Sequence, residues 1–353
     1  MATNQYTLDV LASIRNNASP HYQERVPVAT QANITEIGRI MDTYEVVYNE
    51  FVDALMHRIG KTMVTTALFT NKLAKFKAGT VLTGQDVEDI FVNAFRKAEG
   101  AYDPQGGMGE AGTHPFKRRD YEDVKVYFYR MNRQDKYVCT IYRDDVIRAF
   151  NSTTALGSFI TAQFNSMYTG AEFDEYEHMK KLLSDGIKAD DFFTYLVPAI
   201  GSEGATDAET QSACKAFVRT VKKAIADVSY PTTKYNSAGV MTKTDKSNLV
   251  LIINKDIQPH LDVDLYSLIF GAGYAQLGVE IVEVDNFGDD DTGTYALLVD
   301  KSFFKVYDVK NQMTQIFNPD GLYTNYWLHI WQILCYSKFA TAVRFGTTNI
   351  TKA

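Results

Sequence analysis

Apolar residues recur at steps of three and four through the middle of the chain, at Leu156, Phe159, Ile160, Phe164, Met167 and Tyr168, then at Phe173, Tyr176, Met179, Leu182, Leu183 and Ile187. That spacing places them on one face of a long helix whose other face is polar, with a kink expected at Thr169 and Gly170. A helix of such length needs a large surface to lie on. Upstream, Ile37, Met41, Tyr44, Val47, Tyr48, Phe51, Leu55 and Ile59 predict a single amphipathic helix from Ile34 to Gly60. Residues 1–33 are mixed and polar, and Asn16, Asn17, Ser19 and Pro20 interrupt any helix there, so they read as an arm.

The pattern changes between Lys75 and Lys136. A run from Val87 to Phe95 leads to a glycine- and proline-rich tip, Gly100 to Pro115, and then to Val124, Val126 and Phe128 alternating with Lys125, Tyr127 and Tyr129. This predicts a long two-stranded excursion, which has little core of its own and so rests on a neighbour. A strand from Tyr137 to Tyr142 and a short helical turn join it to the long helix. Beyond that helix, Thr206 and Glu209 form a capping box ahead of a helix running to about Val228. Strands are expected at Leu249–Ile253, Val279–Val284, Tyr295–Val299, Phe303–Val306 and Thr341–Phe345, with helices at Val263–Phe270 and Tyr323–Ser337. The class is α+β, without internal repeats.

Composition narrows the function. The 353 residues are 45% hydrophobic, enough for a substantial core, and 22 Tyr with 21 Phe suit sheet surfaces and broad contacts. A net charge of −7 argues against a protein that grips nucleic-acid phosphates. Cys139, Cys214 and Cys335 form neither a disulfide framework nor a zinc pattern. Met1 to Asn17 has Asp9 inside its apolar patch and no basic leader, and Leu265 to Val279 is too short to span a bilayer, so no membrane association is expected.

Chemical motifs are sparse. Gly107, Gly109 and Gly112 satisfy a dinucleotide fingerprint in letters only, lacking the strand before and the helix after that the pyrophosphate needs. Asp285 with Asp289, Asp290 and Asp291 lacks the ligand spacing of a calcium loop. His21, His57, His114, His178, His260 and His329 are scattered, and Asp174, Glu175 and Glu177 beside Lys180 and Lys181 have the spacing of helical ion pairs. No catalytic, cofactor or metal residue is named. Lys117, Arg118 and Arg119 read as a solvated turn or as ion-pair partners for Glu88 and Asp89 of an adjacent subunit.

Several long, irregular strings are more specific. They are Tyr48-Asn49-Glu50-Phe51-Val52-Asp53-Ala54-Leu55 with Arg58-Ile59-Gly60; Ser166-Met167-Tyr168-Thr169-Gly170-Ala171-Glu172-Phe173-Asp174-Glu175-Tyr176; and Ile253-Asn254-Lys255-Asp256-Ile257 before Leu261-Asp262-Val263. Leu298-Val299-Asp300-Lys301-Ser302-Phe303-Phe304 and Asn318-Pro319-Asp320-Gly321-Leu322-Tyr323 complete the set. Through them almost the whole chain resembles the major capsid protein of tailed bacteriophages, with the Hong-Kong-ninety-seven-type capsid fold, most nearly the head proteins of short-tailed phages of Gram-positive hosts. The resemblance implies an N-terminal arm and helix at 1–60, an extended loop at 61–136, and a peripheral domain with its spine helix at 137–200. An axial domain at 201–308 and a return to the peripheral domain at 309–353 would follow.

It also implies a structural rather than catalytic role. Hexamers and pentamers of the chain would form an icosahedral shell in the virion, assembled in the host cytoplasm with a portal protein and enclosing double-stranded DNA without sequence-specific binding. The short segment before the first amphipathic helix implies a separate scaffolding protein, and the end just after Phe345 implies no C-terminal immunoglobulin-like decoration. Some family members cross-link through a Lys to Asn bond; Lys75, Lys77 and Lys97 are the lysines such a bond would use, and no Asn with an acid partner matches them. The alternatives are an encapsulin-like nanocompartment shell and, from another class, a cytoplasmic enzyme with an unrecognised site. A DNA-binding protein fits the acidic balance worst.

Overall fold

The long apolar stripe folds as one helix. In a computed structural model that describes residues 2–62, 71–93, 124–151, 153–201, 206–257, 259, 278–288 and 293–348, α6 runs unbroken from Thr153 to Lys188. Helical structure continues through Thr169 and Gly170, where a kink is expected from the sequence. Met167, Tyr168 and Ala171 enter one hydrophobic core, whereas Tyr176, Met179, Leu183 and Ile187 enter another. A single rigid element therefore forms a wall of both.

The first core is mainly helical. The expected arm is instead two helices, α1 (Ala2–Asn17) and α2 (Pro20–Arg25). Val10, Leu11 and Ile14 have helical spacing and are buried against the N-terminal part of the molecule's main core. The helix-breaking residues act as punctuation: Ser19 accepts a hydrogen bond from the Tyr22 amide as N-cap, with Pro20 in the first turn. The helix expected from Ile34 to Gly60 is also divided, into α3 (Ile34–Thr43) and α4 (Glu45–Thr62). Tyr44 is extended at the junction and its ring stacks under Arg25 instead of joining the apolar face. The short helix α5 (Arg143–Ala149) crosses α3 closely, and a Cβ on Gly38 would lie 2.6 Å from the Cβ of Phe150.

Beneath these helices lies a sheet in the order β1 (Gly79–Thr80), β9 (Phe304–Asn318), β10 (Tyr323–Tyr336) and β4 (Arg133–Tyr142). The expected helix over Tyr323–Ser337 is thus a strand. The segment is crowded with aromatic and β-branched residues, and Thr324, Tyr326 and Leu328 alternate into the core while their neighbours face out. Strand β10 pairs along its full length with β9 and from Tyr323 to Gln332 with β4, which satisfies its backbone groups on both edges there.

The second sheet has the order β5 (Phe193–Leu196), β11 (Ala342–Gly346), β8 (Thr294–Asp300), β6 (Leu249–Asn254) and β7 (Glu280–Val284). Both of its faces are covered. Leu251, Ile253 and Leu298 meet α7 (Asp207–Val228), whereas Val250, Ile252, Leu297 and Val299 meet the C-terminal half of α6. Double coverage explains why β6 and β8 are nearly continuous apolar runs. The capping box at Thr206 and Glu209 forms as expected. Within 309–353, β10 lies in the first sheet and β11 enters the second, between β5 and β8. The expected helix at Val263–Phe270 falls outside the described residues.

Replacing the fully buried Leu183 by Ala is expected to cost the unassembled subunit about 2–5 kcal/mol. The half-buried neighbour Leu182 should cost much less. Urea denaturation midpoints compare the two.

Candidate assembly interface

The alternating segments after Gly79 form an antiparallel hairpin of β2 (Val87–Val92) and β3 (Val124–Tyr129). Its inner face is fastened to its own chain. Asp89 accepts hydrogen bonds from Ser337 at 2.7 Å and Tyr129 at 3.3 Å and lies 3.4 Å from the Lys305 ammonium. Phe91 and Tyr127 both pack on the Phe339 ring, and Lys125 donates to the Ala238 carbonyl. The outer face is different. The cross-strand pairs Glu88 with Phe128, Ile90 with Val126 and Val92 with Val124 present five apolar side chains that are 39–60% exposed.

A buried polar network holds the root of this hairpin. Glu175 of α6, 5% exposed, receives hydrogen bonds from Lys77 at 2.7 Å, Asn71 at 3.0 Å and Gln332 at 2.6 Å. Lys77 also lies 3.0 Å from Asp308, which accepts a second bond from Gln332. The Gln332 carbonyl in turn accepts from Arg133, whose other nitrogens reach Asp135 and Tyr137. A β-bulge serves this arrangement: at Trp331 and Gln332 the register on β9 jumps from Lys310 to Asp308, which sets Gln332 opposite Asp308 with its amide donating to both Asp308 and Glu175.

The electrostatics follow from the packing. Burial disfavours the charged form of Lys77, but Glu175 and Asp308 outweigh it and raise its pKa. Glu172, one turn before Glu175, is raised by burial first and by the Glu175 charge second. A second junction joins α6 to the end of β7, where Lys180 bridges Glu177 and Asp285 at 2.8 Å each and Tyr176 donates to Asp285 at 2.8 Å. Burial opposes ionisation of Asp285, yet the bonds from Lys180 and Tyr176 hold its carboxyl below the usual range.

Of the sequence-predicted contact residues, Glu88 faces outward, while Asp89 is engaged inside its own chain. Lys117, Arg118 and Arg119 lie outside the described residues, as do the three glycines, the tip, Lys97 and the Asp289–Asp291 run. The helical ion pair involving Lys180 and Glu177 forms, but Glu175 turns inward instead. Its signal was present: Glu175 stands midway between Ala171 and Met179, at steps of four on the apolar stripe. Among the described residues no group of His, Cys, Asp or Glu is placed to hold a metal ion, and no helix is long and apolar enough to cross a membrane. Cys214 is buried, and Cys139 and Cys335 are half-buried.

This architecture of spine helix, hairpin and two sheets matches solved phage heads. The chain superposes with TM-score 0.60 on a chain from the capsid structure of Staphylococcus phage Andhra, at 11% identity, covering 80% of this chain and 85% of that one. A chain from the structure of the head fibre and inner core protein of bacteriophage P68 gives 0.61, at 11% identity, with 79% and 85% covered. A family model described as Phi29-like phage major capsid protein matches residues 11–346. The chain belongs to that family. The major capsid protein of Bacillus phage B103 is 35% identical over 339 residues, covering 96% of this chain and 72% of the relative. That of Streptococcus phage Cp-1 is 27% identical over 343 residues, covering 91% and 89%. As a member, the chain has the Hong-Kong-ninety-seven-type capsid fold and assembles with itself into the shell of the phage head, so its place is the virion capsid.

Replacing Lys77 by Met in this capsid subunit strands Glu175 and Asp308 and is expected to cost about 3–5 kcal/mol, read from thermal or urea unfolding. Pairing it with Glu175→Gln should recover part of that loss. Glu172 behaves oppositely to a salt-bridged acid. A carboxyl whose folded pKa is raised destabilises the fold above that pKa and is neutral below its unfolded value. Glu172→Gln is therefore expected to unfold at a higher temperature than the parent at neutral pH, a gain that fades as pH falls into the carboxylate range.

Proposed function

We propose that each subunit is carried onto its neighbour by the β2–β3 hairpin, the described part of an extended loop spanning 61–136. The observation that supports this reading is the hairpin's bare outer face, a contiguous strip of Ile90, Val92, Val124, Val126 and Phe128 on an element already anchored by its other face. Exposed strips of this kind mark protein contacts. Glu88 at its edge, with Lys117, Arg118 and Arg119 further along the loop, supplies polar contacts at the rim, whereas Asp89 contributes by fixing the hairpin's angle.

In this reading α6 with the β9, β10 and β4 sheet is the peripheral domain, and the five-stranded sheet with α7 is the axial domain around which copies gather. A separate scaffolding protein directs curvature, and a portal protein occupies one vertex. Double-stranded DNA is held by enclosure, which suits a subunit of net charge −7.

The double substitution Ile90→Ser with Phe128→Ser tests the contact. Both side chains are more than half exposed, so the subunit should keep its melting temperature. Co-expressed with a scaffolding protein and imaged by negative-stain electron microscopy, it should yield few closed shells where the parent yields many. Normal shells would remove the hairpin from this role.

A further inference from the structure

The turn that joins β9 to β10 holds a leucine in a backbone conformation that leucine rarely adopts. Leu322 has φ +51°, in the left-handed region where a side chain crowds its own backbone. The turn is fixed from both sides. The Asn318 side chain accepts hydrogen bonds from the amides of Asp320 at 3.0 Å and Gly321 at 3.4 Å and donates to the Tyr323 hydroxyl at 2.7 Å. A Cβ on Gly321 would lie 2.3 Å from the Tyr323 ring, and the Leu322 carbonyl accepts from the Arg143 amide at 3.1 Å. The side chain held this way contributes little to its own subunit, since Leu322 is 52% exposed. Strain kept by the surroundings at a residue the fold does not bury points to a function.

Leu322 lies at the end of an apolar surface. Thr324, Tyr326 and Leu328 alternate into the core, so Tyr323 and Trp327 lie on the other face of the sheet. Tyr142 and Val138 stand opposite them on β4, and Ile316 stands on the same face of β9. Val138, Tyr142 and Ile316 are 54%, 53% and 59% exposed, and Tyr142 meets Tyr323 edge to face at 5.7 Å. From Val138 to the turn the paired positions of this face are uncharged. The first charged position, Lys136 opposite His329, comes one rank further from the turn. Asp320 is exposed in the turn itself, outside the paired ranks.

We propose that this face around Leu322 is a self-contact, which meets the same face of a second copy of the chain. It is separate from the hairpin contact and needs only the self-assembly that family membership establishes. Charge selects the occupant. An uncharged face brings no like charges together when it meets its own copy, whereas the hairpin strip carries Glu88 and would set that carboxylate against itself. Size agrees with this. Four apolar side chains little more than half exposed cover far less than the roughly 800 Å² per partner that holds a stable pair. The unassembled subunit therefore stays single, and the contact closes only where the shell brings copies side by side. Like meeting like makes it isologous, across a two-fold relation between copies. A leucine already locked outward by its turn loses little freedom when it is covered, so the strain serves preorganisation.

Leu322→Asn tests both halves of the proposal, because asparagine accepts left-handed backbone and favours water. The unassembled variant should melt at or above the temperature of the parent. Under conditions in which the parent forms shells, it should give roughly tenfold fewer closed particles by negative-stain electron microscopy, since the lost contact recurs at every copy. Leu322→Met, which keeps an apolar side chain, should assemble like the parent. Shells of Leu322→Cys treated with a short bis-maleimide should yield peptides joining position 322 of one copy to position 322 of another, a link that only two copies can form. Should Leu322→Cys not assemble, the Asn and Met variants decide alone. Parental shell yields from Leu322→Asn, a melting temperature several degrees below the parent, failure of Leu322→Met to assemble, or shells of the Cys variant without 322-to-322 peptides would each overturn the self-contact. None of these outcomes bears on the hairpin, whose own variant is read separately.

Discussion

Burying a carboxylate in a protein core is tolerable only when its hydrogen-bonding partners are held in place, and Glu175 imposes that requirement at the centre of this fold. Its helix is the wall shared by two hydrophobic cores, so whatever satisfies Glu175 must also connect the elements around it. Lys77 and Asn71 come from the stem of the hairpin, Gln332 from a bulged strand, and Asp308, which shares Lys77 and Gln332, from the strand beside it. The hairpin's root, the spine helix and the long sheet are thereby one unit. An apolar residue at 175 could bury itself equally well, but it would not specify which stem and which strand must meet there.

From that fixed root the hairpin projects with two unlike faces. The inner one is tied down by Asp89, Phe91 and Tyr127, which sets the direction in which the outer one points. Among the described residues, the outer one remains an exposed apolar strip. Shell stability in such a design comes from modest interfaces repeated by symmetry, so no single one has to be strong.

The parts of the fold visible in the sequence are those written in local periodicity. Helix α6 is legible from steps of three and four, β3 from alternation, and α7 from its capping box, because each signal lies within a few residues of itself. The errors arose where a local signal had two meanings. Ser19 and Pro20 interrupt a helix or begin one, and only the packing of Val10, Leu11 and Ile14 beside them decides. The aromatic run of β10 reads locally as a helix, because its strand character depends on two partners, β4 and β9, that the run itself does not contain.

The sequence by itself determined the family, through long irregular strings that few other chains would carry, together with the spine helix and the existence of a hairpin. Tertiary structure alone decided which acidic residues are buried and which hairpin face is bare. The physical reason is distance along the chain: Glu175 and Gln332 are 157 residues apart and Lys77 lies 98 residues from Glu175. Periodicity records how a segment meets a surface, whereas the pairing of buried polar groups depends on segments that only the folded chain brings together.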